Sequence, residues 1–301
     1  MNLKKHYSAG VVAFVIWGFF PIPLKALDQF SAGQILYFRI LASFAVLAAI
    51  LPFKWSDIIS GWKLLHLLPA KGKRTAVVLT LAGAVLLTIN WLTFIYIVNN
   101  INVKTASFSY LVCPVLTAVL GYALLGERLS VIQWIAVGLC GLSCLIMGLN
   151  SRLELGYSVL TALTYALYLT SQRKNQGFDR IVILFIQVLF SLVILSAMFP
   201  LLVDSVPSEG KFYGIIILIA IVFTVLPLFL NLFALNRINA ATIGILMYLN
   251  PLINFVIAFV LFHEQISGLQ LSGYLVIVFA LIVFNYHNFK KIQSAVSTSK
   301  V

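Results

Sequence analysis

Two groups of residues in this chain carry side chains able to bind or react. The first is a pair of acids, Glu127 in "LGYALLGERLS" (120–130) and Glu264 in "AFVLFHEQIS" (258–267), set 137 residues apart. A carboxylate between two apolar runs either carries a proton or sits in a solvated turn at a helix start, and the edge position favours the turn. The second group centres on Arg39, a guanidinium inside the apolar run 33–53. Its planar fork of N–H donors matches a carboxylate. Other polar and aromatic residues punctuate the apolar runs: Trp17, Asn90, Trp91, Tyr96, Tyr110, Tyr165, Tyr168, Gln187, Asn231, Tyr248 and Asn250. Buried polar groups cost free energy unless paired. Together with Arg39 these twelve are the candidate substrate-binding residues of an aromatic-lined cavity. Taken singly, each has another role open to it. Trp and Tyr form interfacial belts, Asn joins helices, and Arg39 can snorkel toward an interface.

The groups that are lacking narrow the classes. There are eight Asp and Glu residues, all at or near gaps between apolar runs. His6, His66, His263 and His287 are scattered at run ends. No Walker A or H-E-x-x-H pattern is present. Cys113, Cys140 and Cys144 lie in apolar runs without metal-ligand spacing, so no cofactor or metal is expected. A membrane-embedded enzyme would want convergent carboxylates or a nucleophile with its base. A channel would want a ring of charge. Both stand as alternative classes, with little in these residues to support them.

Such side chains need a scaffold, and composition names its class. The chain has 301 residues, 62% hydrophobic and 9% charged, where a soluble domain carries about 25% charged. This is an all-α integral membrane protein, with the lipid bilayer as its surroundings. The start, "MNLKKHYSAGVVAFVIWGFF", has a basic head and a long apolar run without a cleavage site, and is expected to stay as the first helix. Counting that first one, there are ten apolar runs: 8–26, 33–53, 75–97, 105–125, 131–149, 155–171, 181–203, 213–233, 242–262 and 269–287. The segment between the second and third runs has Trp55, Ile58, Ile59, Trp62 and Leu65 at helical spacing. A helix along the membrane surface and a basic loop are both open to it.

Ten spans put both termini on one side. The terminal side then holds 15 of the 20 Lys and Arg residues, and the other side holds four, Lys25, Lys104, Arg152 and Lys211. That asymmetry places both termini in the cytoplasm. It also explains the net charge of +12 without nucleic acid as a partner.

The two acids belong to an internal repeat. At a constant offset of 137, Asn99 meets Asn236, Ile101 meets Ile238, Asn102 meets Asn239 and Thr105 meets Thr242. Pro114 meets Pro251, Glu127 meets Glu264, Ser130 meets Ser267, and Gln133 meets Gln270. Near the front of each half the offset is 148, pairing Trp17 with Tyr165 and Ser43 with Ser191. Residues 1–150 and 151–301 thus form two five-helix repeats. Five is odd, so the second half enters inverted, the arrangement of many secondary transporters. Pro114 and Pro251 are candidate hinge or packing residues. Gly138, Gly141, Cys144 and Gly148 form a small-residue surface expected to pack closely on a neighbour.

The two halves, each closing in a "GERLS" or "HEQIS" hairpin, resemble the EamA domains of the drug/metabolite transporter superfamily. "FVIWGFFPIPLKAL" (14–27), "ILYFRILAS" (35–43), "NWLTFIYIVNN" (90–100) and "MYLNPLINFVIAFVLFHE" (247–264) resemble its RarD-like branch. Phe38 stands where that branch leads one to expect His, so no role of that His is carried over. The resemblance implies export of a small-molecule substrate, a metabolite or drug, across a bacterial inner membrane. Alternating access between inverted halves is the mechanism it implies. Nothing in the sequence chooses between a monomer and a homodimer.

Arg39 is the one basic residue deep in a run. It lies roughly 9 Å from the outer end at 1.5 Å per residue, with no acid on its own helix. A carboxylate-bearing substrate would supply the missing partner.

Overall fold

In hydrocarbon every backbone amide must find a partner within the chain. The computed structural model meets this with helices, and no strand occurs among its described residues, 3–126, 128–235 and 246–298. In chain order the helices are α1 (Leu3–Gly18), α2 (Pro21–Lys25), α3 (Ala32–Ile50), α4 (Trp55–Leu67), α5 (Ala70–Tyr96), α6 (Val103–Leu125) and α7 (Val131–Asn150). There follow α8 (Arg152–Lys174), α9 (Arg180–Ala197), α10 (Phe199–Leu202), α11 (Gly210–Leu218), α12 (Leu226–Leu235), α13 (Leu249–Val260) and α14 (Gly268–Thr298). Glu127, Asn236, Arg237, Ile238, Asn239, Thr242 and Val301 lie outside the described residues.

Among the described residues six helical stretches are long and apolar enough to cross a membrane: Lys5–Lys25, Ala32–Leu67, Ala70–Ile101, Val103–Leu125, Arg180–Ala197 and Gly210–Ala234. Val131–Met147, Leu249–Val260 and Gly268–Val283 are shorter apolar helices. The run 155–171 falls in α8, which is long but not greasy. Its Ser158, Thr161, Thr164, Tyr165, Thr170 and Gln172 are buried. Helices α5 and α6 pack against α8, so these side chains answer to protein neighbours rather than to lipid.

Three helix starts share one local rule. Ser31 with Gln34, Ser130 with Gln133, and Ser267 with Gln270 exchange side-chain and backbone hydrogen bonds at the first turn. Each Ser-x-x-Gln satisfies two N–H groups the helix leaves open. The repeated corner has a second shared feature. Gly126, at φ 70, ends α6, and its mate at the 137 offset, His263, has φ 50 just after α13. Both take the left-handed turn that ends a helix, which glycine adopts freely and histidine does not.

The segment after α3 forms a helix, α4. Trp55 and Trp62 are each 65% exposed. Lys54 Nζ donates to Asp57 Oδ2 at 2.9 Å and to Asp179 Oδ2 at 3.3 Å, tying the base of α4 to the start of α9.

The principal pairings are α1 with α12 and α13, α8 with α5 and α6, α3 with α9, α6 with α13, and α7 with α14. The seam between α3 and the turns joining α11 to α12 mirrors that between α5 and α9. One expectation is corrected here. A Cβ on Gly138 or Gly141 would meet nothing within 4 Å. Helix α7 turns another face, with buried Ala136, Cys140, Ser143 and Met147, into the protein. The Ser143 hydroxyl donates to the Gly273 carbonyl of α14 at 2.7 Å, and Met147 packs on Gly273. Gly138 lies two residues from Ala136 and Cys140, and Gly141 two from Ser143; residues two apart point to different faces of a helix, so the small stripe and the packing face are separate.

Candidate functional site

Helix α3 begins at its Ser31 cap, and Arg39 follows about two turns later. Arg39 is 1% exposed. Its Nε donates to Thr224 Oγ1 at 2.8 Å. The guanidinium lies 4.8 Å from the Phe20 ring centroid and 5.0 Å from that of Trp91, within cation–π range. Its Nη1 is buried without a hydrogen-bond partner. Among the described residues the ion pairs are those of Lys54, and none involves Arg39.

Thr224 is available because the chain departs from α-helical register there. Residues Ile219–Val225 form a π-helical stretch between α11 and α12, and the Thr224 hydroxyl donates to the Ile219 carbonyl at 3.0 Å. The neighbouring Phe223 carbonyl would pair with the N–H four residues on, but residue 227 is proline and has none. Trp17 Nε1 donates to that carbonyl at 3.1 Å, fixing α1 against this stretch. The Phe20 ring stacks between Phe94 at 5.6 Å and Phe223 at 5.5 Å.

The opposite wall is polar but mostly self-satisfied. Asn90 Nδ2 donates to the Thr161 carbonyl at 2.8 Å, and the Tyr110 hydroxyl donates to Asn90 Oδ1 at 3.3 Å. The Tyr110 and Tyr165 rings meet edge to face at 5.7 Å. Asn250 leaves its Oδ1 buried and unpartnered. These groups enclose a cavity of about 40 Å³ lined by Phe14, Trp17, Phe20, Arg39, Asn90, Trp91, Phe94, Tyr110, Tyr165, Leu228, Met247 and Asn250.

Trp17, Arg39, Asn90, Trp91, Tyr110, Tyr165 and Asn250 are therefore brought together. The other five candidates stand apart from the lining. Tyr168 is buried behind it, stacked on Tyr165 at 5.9 Å. Gln187 is buried between α9 and α5, with Nε2 3.4 Å from the Thr80 carbonyl. Asn231 is buried on α12 with an unpartnered Oδ1. Tyr248 is half-buried, between Met247 and Asn250 in the chain. Tyr96 is 38% exposed and packs on Tyr157 at 5.1 Å. Pro114 is buried inside α6 without ending it. The Pro251 carbonyl accepts the Ser107 hydroxyl at 2.7 Å, joining α13 to α6.

Thr224 and the rings of Phe14, Phe20 and Phe94 were not among the sequence candidates. Thr224 had a signal: it is the only side chain with a polar atom between Ile215 and Leu230. The phenylalanines had none, because nothing separates a cavity ring from a lipid-facing one in an apolar run.

The pattern of the EamA-like transporter family matches residues 4–149 and again residues 153–286. The chain belongs to the EamA-like transporter family. Within it, the chain is 29% identical to an uncharacterized transporter of Pseudomonas aeruginosa, over 97% of each chain. It is 28% identical to an uncharacterized transporter of Bacillus subtilis, over 95% of each. It is similar to the RarD protein of Escherichia coli, at 27% identity over 91% of each. A crystal structure at 16% identity has the same fold, with a TM-score of 0.63 over 93% of this chain and 96% of that one. The EamA-like chain is thus a membrane-spanning member of a family of transporters, similar to RarD proteins.

Proposed function

We propose that this protein is a secondary transporter that exports small organic metabolites or drugs by alternating access across a bacterial inner membrane. Two inverted five-helix halves, 1–150 and 151–301, move about the cavity at Arg39. Both termini are cytoplasmic, as the distribution of Lys and Arg favours.

The observation that carries this reading is who lines the cavity. Trp17 and Tyr165 are mates at the 148 offset, and Tyr110 and Met247 are mates at 137. Extending the 137 offset pairs Trp91 with Leu228, again both in the lining. A cavity lined by equivalent residues of two halves lies where an inverted-repeat transporter holds its substrate. The packing supports the same reading. Exchanging the halves turns α1 with α12 into α8 with α5, and α1 with α13 into α8 with α6. It leaves α3 with α9, α6 with α13, and α7 with α14 unchanged.

The test is counterflow in proteoliposomes loaded with a mixture of small organic solutes. Saturable accumulation of at least one labelled solute, absent from empty vesicles, is the expected result. Non-saturating ion conductance would point to a channel, and conversion of a solute would point to an enzyme.

A further inference from the structure

We propose that the transported solute is a small organic monocarboxylate with a flat apolar body, held by its carboxylate at Arg39. This deepens the transporter reading and rests on it.

Three features carry it. The first is the unmet donor. Arg39 is 1% exposed and lines the cavity, and its Nη1 has no partner. Thr224 takes only Nε, and the faces of Phe20 and Trp91 neutralise no charge. A buried guanidinium without an anion is costly, and a carboxylate removes that cost through charge-assisted hydrogen bonds.

The second feature is that the cation stands alone. Among the described residues Arg39 is the only ionised side chain in the lining, which contains no Asp, Glu or Lys. One positive charge suits one negative charge. A phosphate dianion would lack a second cation. The ammonium of a cationic or zwitterionic solute would lack an acid.

The third is the shape and polarity of the walls. The rings of Phe20, Trp91, Tyr110 and Tyr165 face the space, and rings pack on flat bodies. Asn250 Oδ1 is an acceptor still to be used, so a hydroxyl or N–H on the solute body is accommodated. The cavity of about 40 Å³ is smaller than such a solute. Loading requires the lining helices to part, as an alternating cycle does.

The experiment is counterflow of labelled benzoate at neutral pH in proteoliposomes. Benzyl alcohol, benzylamine and benzamide serve as size-matched controls, and wild type, Arg39→Lys and Arg39→Gln are compared at equal reconstituted amounts. Wild type is expected to move benzoate saturably and to ignore benzylamine. Arg39→Lys keeps the charge but loses the fork, and its half-saturation concentration should rise about tenfold, the equivalent of about 1.4 kcal/mol. Arg39→Gln should lose benzoate and come to prefer benzamide. A purely structural arginine would not give that exchange of preference. Should Arg39→Gln fail to fold, benzoate must still raise the melting temperature of the wild type while benzylamine does not.

Saturable counterflow of benzylamine or benzyl alcohol in preference to benzoate would overturn the proposal and leave the transporter reading intact. Movement of none of the four, in vesicles that do exchange some member of the broad mixture, would overturn it equally. Absence of exchange for every solute in the broad mixture is the separate failure that removes the transporter reading itself.

Discussion

Glu264 and Lys104 are joined across 160 residues: the backbone N–H of Lys104 donates to Glu264 Oε2 at 3.0 Å. The adjacent Val103 N–H donates to Oε1 at 2.7 Å. One carboxylate thus takes two of the open N–H groups at the start of α6, where the helix dipole also favours negative charge. The Lys104 ammonium donates to the Gln265 carbonyl, and Thr105 Oγ1 donates to Glu154 Oε2 at 2.7 Å. The hairpin acid is a structural clasp between α6 and the link from α13 to α14. Glu264→Ala should cost about 1–2 kcal/mol, by analogy with the loss of a helix cap. Glu264→Gln should cost less, because one oxygen acceptor remains. Melting temperatures in detergent check both. Two variants melting like the wild type would show that the clasp contributes nothing.

The left-handed turn at His263 offers the opposite sign. The side chain is exposed and its backbone has φ 50, a conformation that costs a residue with a Cβ about 1–2 kcal/mol. His263→Gly should stabilise the protein by about 1 kcal/mol, as glycine's extra freedom when unfolded takes back part of the gain. A lower melting temperature would mean that the imidazole makes a contact worth more than the strain.

Gly18 sets the approach of α1 to α13. A Cβ there would lie 2.6 Å from Ile253 Cβ and 2.9 Å from both Ile253 Cδ1 and Cγ2. Ile253 is branched at Cβ and cannot swing aside. Gly18→Ala should cost about 1–3 kcal/mol by overpacking, and in a chain carrying Ile253→Gly, which removes the opposing Cβ, most of that cost should disappear. A double-mutant cycle in thermal melts measures the coupling. Additive losses would rule out this contact as the cause.

Trp17 holds the carbonyl that Pro227 leaves open. Trp17→Phe keeps a ring at the cavity but removes the Nε1 donor, leaving the Phe223 carbonyl without it. A stability loss of about 1–2 kcal/mol is expected. Replacing Pro227 by Ala in the Trp17→Phe background should recover part of it, since Ala supplies an N–H. No recovery would mean that the π-helical register, rather than the proline, frees the carbonyl.

Topology is open to a direct check. The 15-to-4 division of Lys and Arg leads to a cytoplasmic C-terminus. A reporter active only in the cytoplasm, fused after Val301, should be active, and one active only outside should be silent. The reverse pattern would invert the orientation proposed for both halves.

The class of the protein was legible from composition alone, because a chain with 9% charged residues cannot cover a water-facing surface. The hairpin turns at "GERLS" and "HEQIS" were legible as charged gaps between apolar runs, whereas the caps at Ser31, Ser130 and Ser267 were not read there, although capping depends on a few consecutive residues. The positional identity of Gly126 and His263 also follows from counting along the chain. The buried, acid-free setting of Arg39 was foreshadowed by its depth in an apolar run.

Tertiary structure decided how each helix is rotated against its neighbours. Spacing says which residues share a helix face, but not which face meets the cavity. It therefore could not part Tyr165, in the lining, from Tyr168 behind it, or Tyr110 from the exposed Tyr96. It could not foresee that Gln187, the mate of Arg39 at the 148 offset, is buried between α9 and α5 and stays out of the cavity that Arg39 enters. The donor that finds the Phe223 carbonyl comes from Trp17, 206 residues away. A proline can announce that a carbonyl is left open, but only the assembled bundle determines which side chain reaches it.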